Sequence, residues 1–463
     1  MKKLLCTCLC LIIVLFSLTP AVGNAYEPNE EIKSNVAYLV SMGSDNVVLY
    51  SKNSKKKTQP CSLTKVVTAA IALESCKDPE NTVIAARYNA VHSLDGSYCT
   101  KYGIKENDRY SLLDLVYIMM LTSANDAAMV IADYSGNGSY TEFVAKMNEK
   151  AKALGCKNTN FENPTGIDDP AQYTTAEDMA KLVEYAMGIP AFSTVAKTSA
   201  YSIKKNSTHS GADIKNDNPL LPSESSYDIF AYDYCTGVKT GYTVDAGYCT
   251  AATATKGGSS YLAITFEGEY KNYSGSQYNS SVVDTLRLFR WAFSNFKIKE
   301  ICSTNNVVAG VNVKLSSDKD FVGLVPEKTI TKLVPINVDT STLIIKPIDM
   351  PQSINAPVKA GDFVCKAQII HADKVIATIN LVAYEDIKVS IFSYILYIVK
   401  AIFTNIFTII VLSLAAIGVV IYLIYRQRNM ARRRKNKRRA MARYNREKAN
   451  RYKKEYSDDI DKY

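Results

Sequence analysis

Three short stretches hold residues whose types and spacing could do chemistry. The first is Ser62-Leu63-Thr64-Lys65, at the head of the apolar run Pro60 to Leu73. On a helix, positions i and i+3 share one face with Cβ atoms about 5–6 Å apart. A serine hydroxyl is a weak nucleophile until a neighbouring base takes its proton, and a desolvated lysine can be that base. Free lysine has a pKa of about 10.4, so bringing it near neutrality takes roughly 4 kcal/mol from burial and a nearby cation. The second stretch is Ser123-Ala124-Asn125, a hydroxyl and an amide between two apolar runs. The third is Lys239-Thr240-Gly241, an ammonium, a hydroxyl and an open backbone position. That combination suits a ligand carboxylate, and Lys239 would be the second cation that lowers Lys65.

Each stretch has a bland reading too. S-x-x-K recurs at Ser54, Ser202, Ser294 and Ser316, and S-x-N at Ser44, Ser51, Ser135, Ser303 and Ser353. A snorkelling surface lysine, a helix cap, a turn or a plain strand lysine would account for any one of them. Only the Ser62 copy opens an apolar helix. K-T-G occurs once.

The elements that must position these residues read as follows. Ser62 stands where a helix N-cap would, and the helix behind it is apolar on every side, as expected of a buried one. Residues 35–41 and 47–51 read as a hairpin. Ser111 to Leu121 reads as an apolar helix, and a second helical run covers Asp126 to Tyr134. Residues 139–154 form an amphipathic helix stopped by Gly155. Thr175-Ala176-Glu177-Asp178 opens another, to Met187. Lys204 to Ser226 reads as a polar surface loop. Gly237 to Gly241 leads into strands at 247–255 and 260–267 around Lys256-Gly257-Gly258-Ser259, followed by a closing helix over 281–296. Short β-like runs fill the chain from 297 to 386. The expected fold class is therefore α+β, an antiparallel sheet flanked by helices, followed by a small all-β domain and one C-terminal transmembrane helix.

Charge and hydropathy organise the ends. The net charge is +10, but residues 426–463 alone carry 16 Lys/Arg against 5 Asp/Glu. The body is close to neutral, which argues against a nucleic-acid partner. Ala401 to Tyr425 is uncharged for 25 residues, enough to span a hydrocarbon core that needs about 20. The basic cluster after it predicts a cytoplasmic C-terminus and an extracytoplasmic body, a single-pass cell-membrane protein. Val389 to Val399 is too short to span and is expected at the outer interface. Met1 to Ala25 reads as a signal peptide. The expected domains are 1–25 signal, 26–296 catalytic, 297–388 small β, 389–400 interfacial, 401–425 transmembrane and 426–463 basic tail. Eight cysteines follow residue 25 without a C-x-x-C pair, and pairing is not legible. No metal ligand set and no cofactor is expected. His209 and Asp213 lack a partner for zinc, with only His92 and His371 elsewhere. No G-x-S-x-G elbow supports a Ser-His-Asp hydrolase.

S-x-x-K, S-x-N and K-T-G in this order, on a buried helix, a helix break and a strand, form the triple of serine β-lactamases and penicillin-binding proteins. With Thr122 to Ala128, Phe161-Glu162-Asn163-Pro164-Thr165-Gly166-Ile167, Gly237 to Thr243 and Ala356 to Gly361, the chain resembles a D-alanyl-D-alanine carboxypeptidase of the low-molecular-mass penicillin-binding proteins. The resemblance implies that Ser62 attacks the penultimate D-Ala of a peptidoglycan stem peptide, with Lys65 as base. It also implies that Ser123 relays a proton, Asn125 holds the substrate amide, and Lys239 with Thr240 binds the terminal carboxylate. Gly241 leaves room for the substrate, and backbone N–H groups of Ser62 and Tyr242 form the oxyanion hole. β-Lactam antibiotics would mimic the substrate and stay attached. Thr165 and Tyr242 stand where related sequences often carry His, so no imidazole can be essential at those positions. Two rivals share the fold: a β-lactamase, for which no E-x-x-L-N-like loop follows Asn125, and a membrane-tethered penicillin sensor without turnover.

Overall fold

Alternation along two central strands places a core on each face of one sheet. The computed structural model describes residues 28, 30–43, 46–222, 229–273, 276–339, 342–371 and 374–460. The expected signal peptide lies outside the described residues. Strands β1 (Val36–Ser41), β2 (Val48–Lys52), β3 (Cys235–Thr243), β4 (Gly247–Lys256) and β5 (Ser259–Gly268) form an antiparallel sheet in the order β2-β1-β5-β4-β3. Successive side chains point to opposite faces. Val36, Tyr38, Val40, Leu262, Ile264 and Phe266 face one apolar cluster, and Ala37, Leu39, Tyr261 and Ala263 face the other.

The first cluster holds α1 (Thr64–Ser75), whose residues from Thr64 to Leu73 are all buried. Around it lie α2 (Leu112–Leu121), α3 (Asn125–Ser135), α4 (Tyr140–Ala153) and α5 (Ala176–Met187). The second cluster is closed by α6 (Ser280–Asn295), with Trp291 buried in it. Caps set the helix starts. The side chains of Ser111, Ser139 and Thr175 accept from the N–H groups of Asp114, Glu142 and Asp178, satisfying donors a helix leaves open. Gly155, past the end of α4, has φ +74°, the left-handed turn that ends a helix most cheaply at glycine.

Two local expectations fail for physical reasons. Ser62 is no N-cap: it lies in the 3₁₀ turn Cys61–Leu63, makes no capping bond, and α1 starts after it. Its hydroxyl is thereby free for side-chain partners. The stretch from Lys204 is not all loop either, since Ala212–Lys215 pairs with Ala200–Ile203. Hydrogen bonding along two short strands overrides a polar composition.

The chain forms two compact units, one of residues up to Ile301 with Ile330–Ser341, the other of Cys302–Thr329 and the residues from Thr342 onward. The second contains a six-stranded β sheet. It continues into one helix, α7 (Ile391–Ile460), which joins the expected interfacial segment, span and most of the basic tail without a break. Among the described residues α7 alone holds a stretch long and apolar enough to cross a membrane.

Candidate active site

The sheet, the 3₁₀ turn and the α2–α3 break bring the three sequence stretches together. Ser62 Oγ lies 3.1 Å from Lys65 Nζ and 3.0 Å from Ser123 Oγ. Lys65 is fully buried, and its ammonium donates to the carbonyl of Thr165 at 2.6 Å. Burial, reinforced by the Lys239 ammonium, lowers its pKa from 10.5 to about 7. Removing the hydration shell disfavours the charged form, and a second cation adds to that.

Backbone strain concentrates on the same spot. Cys61 has φ +41° and Ser123 φ +58°, left-handed conformations that cost non-glycine residues about 1–3 kcal/mol. The buried α1 on one side and the paired helices α2 and α3 on the other hold both turns. Asp126, buried in the first turn of α3, accepts from the N–H groups of Tyr102, Gly103 and Ile104 at 3.0, 2.7 and 3.0 Å. That fixes the 99–104 loop, and the carbonyl of Thr100 in turn accepts from Asn125 N–H at 2.9 Å. Asn125 is buried, with its side-chain oxygen unpartnered among the described residues.

The loop that supplies the Thr165 carbonyl is tied down by its own side chains. Asn163 Oδ1 accepts from Thr165 Oγ1 at 2.7 Å and from Gly166 N–H at 2.8 Å. Gln172 Nε2 donates to the Ile167 carbonyl at 2.9 Å. Gly166 has φ +85°, and a Cβ there would sit 1.8 Å from the carbonyl oxygen of Cys61. Only glycine lets this loop reach the Cys61–Leu63 turn.

Strand β3 closes the other side as the outer strand of the sheet. A Cβ on Gly241 would fall 2.6 Å from Cys61 Sγ and 2.9 Å from Ser62 N, so the strand packs directly on the turn. Lys239 is fully buried, and its Nζ donates to both oxygens of Asp217 at 2.8 and 3.0 Å. Thr240 Oγ1 donates to the same carboxylate at 3.3 Å. Asp217 comes from the stretch read as surface loop, and its N–H donates to the carbonyl of Leu121 at 2.9 Å, at the end of α2. Sequence reasoning missed it; no local signal distinguishes it from other polar-loop aspartates. It also missed the positioning by Asn163 and Gln172, visible only as parts of a motif. Tyr242 is 55 % exposed and packs its ring against Tyr248, 4.4 Å between centroids.

A cleft of about 700 Å³ opens at Ser62, lined also by Asn125, Thr165, Asp168, Tyr242 and Thr243 among others. The arrangement offers a hydroxyl beside a near-neutral amine, a carboxylate-holding Lys–Thr pair and the N–H face of an edge strand. The eight described cysteines are all free thiols. Burial and the neighbouring Cys61 push the Cys249 thiol well up, so beside Cys61 it is inert packing.

Residues 23–269 match the D-alanyl-D-alanine carboxypeptidase family, and residues 296–389 match the C-terminal domain of penicillin-binding protein 5. The chain is 29 % identical over 396 residues to D-alanyl-D-alanine carboxypeptidase DacF of Bacillus subtilis, covering 84 % of this chain and 95 % of that one. It is 31 % identical over 245 residues to the D-alanyl-D-alanine carboxypeptidase of Streptomyces sp. strain K15, covering 49 % and 77 %. The structure of penicillin-binding protein 5 from Haemophilus influenzae shares the fold, with TM-score 0.61 at 24 % identity over 78 % of this chain and 98 % of that one. With its α+β fold, its C-terminal β domain and the residues that match along both, the chain belongs to the serine-type D-alanyl-D-alanine carboxypeptidase family.

Proposed function

We propose that the protein removes the terminal D-Ala from peptidoglycan stem pentapeptides through an acyl-enzyme on Ser62, and that β-lactam antibiotics acylate the same serine. The observation that carries this is the fully buried Lys65 amine, 3.1 Å from Ser62 Oγ and lowered to about 7. The free amine takes the Ser62 proton as the oxygen bonds to the carbonyl carbon of the penultimate D-Ala. The resulting oxyanion is held by the N–H groups of Ser62 and Tyr242, donors worth roughly 3–4 kcal/mol each. The C–N bond then breaks, the departing amine collects a proton through Ser123, and D-Ala leaves. Water hydrolyses the ester, and Ser62 recovers its proton.

Before that, the substrate's terminal carboxylate displaces Asp217 from Lys239 and Thr240, and Asn125 holds the substrate amide. A buried ammonium needs a partner at every stage, so exchanging one carboxylate for another keeps Lys239 paired. We further propose 1–25 as signal peptide, 26–296 as the catalytic domain and 297–388 as the β domain. The apolar part of α7 would anchor the protein, with the body outside and the basic tail in the cytoplasm.

The test measures D-Ala release from diacetyl-Lys-D-Ala-D-Ala, alongside labelling by a fluorescent penicillin. Both should vanish in Ser62→Ala, and mass spectrometry should find the label on the Ser62 peptide. Label surviving at normal intensity in that variant would overturn the assignment. Label without D-Ala release in the native protein would support a sensor instead.

A further inference from the structure

We infer that a second cleft, between the short helix Tyr88–His92 and the start of α4, binds an uncharged amino-sugar chain, the glycan strand that carries the stem peptides. The sugar site stands by itself, and only its assignment to peptidoglycan rests on the proposed function. The cleft holds about 610 Å³, within the range of small-ligand sites. Its charged groups are already engaged. Arg87 Nε donates to Asp133 Oδ2 at 2.8 Å, and the His92 ring meets the Asp95 carboxylate, Nδ1 to Oδ2, at 2.7 Å. No lysine or arginine lines the cleft, so an ionic ligand finds no unpaired charge there. Ala90 and Met129 are its only aliphatic side chains, which leaves little for an oily ligand.

What remains is neutral and polar. Ser93 Oγ donates to the Ala90 carbonyl at 2.7 Å, and Ser139 Oγ accepts from Glu142 N–H as a helix cap. The phenols of Tyr88 and Tyr140, the Asn89 amide and the Thr141 hydroxyl have no hydrogen-bond partner among the described residues. All four residues are exposed. The Tyr88 ring leans on His92, 4.3 Å between centroids, which holds it in place at the surface. Tyrosine offers an apolar ring with a polar tip, the match for a sugar ring with C–H faces and hydroxyl edges. A side-chain amide can donate to and accept from an acetamido group.

Position ties this site to the reaction. Asn125, in the first turn of α3, borders the catalytic cleft, and Met129 and Asp133 of the same helix border this one. At the helical rise they lie about 6 and 12 Å further along. His92 and Asp95 line the sugar cleft, and Ser97 to Thr100 line the catalytic one. A stem of four extended residues covers about 13 Å, so a glycan strand held here keeps its stem peptides within reach of the catalytic cleft. Capture at one site makes entry to the other intramolecular and raises the local concentration of stem peptide.

The experiment uses the full chain in micelles of a detergent without a sugar headgroup. Ligand-observed NMR titration with tetra-N-acetylchitotetraose should show saturable binding, and maltotetraose, which lacks acetamido groups, should bind more weakly. Tyr88→Ala and Tyr140→Ala should each weaken chitotetraose binding about tenfold, the size of one lost stacking contact. Tyr88→Phe should keep most of the affinity, and thermal unfolding should not move in any of the three, because both rings are exposed. Pentapeptide borne on a peptidoglycan tetrasaccharide should show a KM about tenfold below that of free pentapeptide, at equal kcat. Tyr88→Ala should close that gap and leave kcat and KM for the free peptide unchanged. D-Ala release without saturable sugar binding overturns the glycan site alone. So does binding that Tyr88→Ala and Tyr140→Ala leave unchanged, equal affinity for maltotetraose, or equal KM for the two substrates. Sugar binding that these variants abolish, with no D-Ala release from either substrate, upholds the site and overturns the carboxypeptidase reading.

Discussion

Acylation of Ser62 should rise with pH and level off just above neutrality. The perturbation is the proton on Lys65. Burial, then the Lys239 ammonium, brings that amine from 10.5 to about 7, which is about 5 kcal/mol against the charged form. At pH 5 only about one molecule in a hundred would then hold the free base. The second-order rate constant for fluorescent-penicillin labelling should climb about 100-fold between pH 5 and 9, nearly all of it below pH 8. A lysine left at its ordinary value would give a tenfold rise per pH unit through pH 9 with no levelling. The same amine ties stability to pH. Its folded pKa lies below its unfolded one, so between about 7 and 10.5 the unfolded chain holds a proton the folded chain has shed. Stability therefore increases with pH across that window, and the full penalty of a buried ammonium is felt below it. Lys65→Met should remove this slope in urea unfolding between pH 7 and 9, while acylation falls by orders of magnitude. A labelling rate that is flat from pH 5 to 9, or still rising tenfold per unit at pH 9, would refute the base assignment.

Two further outcomes follow from the neighbours of that amine. Asp217 holds the Lys65 pKa up through its negative charge, so Asp217→Asn should move the acid limb of the acylation profile to lower pH. It should also lower the KM for the peptide about threefold, as a half-exposed competing carboxylate disappears; a limb that moves to higher pH would contradict this. Gly241→Ala places a methyl 2.6 Å from Cys61 Sγ and 2.9 Å from Ser62 N, which should cost about 1–3 kcal/mol of stability and at least about tenfold in labelling rate. Thermal unfolding and labelling check both, and Cys61→Ala in the same chain should return stability more than rate, because Ser62 N stays in the way.

Much of this protein is local and therefore legible in its sequence. Ser111, Ser139 and Thr175 cap their helices because a short polar side chain reaches its own helix's N–H groups. The alternation of β1 and β5, the all-round apolar α1 and the uncharged run 401–425 follow from side-chain periodicity and solvent alone. The order and spacing of Ser62, Lys65, Ser123, Asn125 and Lys239–Gly241 named residues that the fold brings near one another, of which Ser62 and Asn125 line the cleft. Tertiary structure decided what those residues touch. Lys65 loses its hydration because the Thr165 carbonyl, 100 residues away, takes its hydrogen bond. Lys239 stays paired because a loop 22 residues earlier turns back with Asp217. Ser62 leaves its capping role because the chain enters α1 through a 3₁₀ turn braced by strand β3. Asp168 gains its orientation from Thr243, 75 residues on. Local propensities depend on a few neighbours in the chain, but burial and electrostatic pairing depend on which distant segments pack together. The fold therefore turns a readable list of side chains into a buried near-neutral amine, a Lys–Thr pair held on a carboxylate and a cleft.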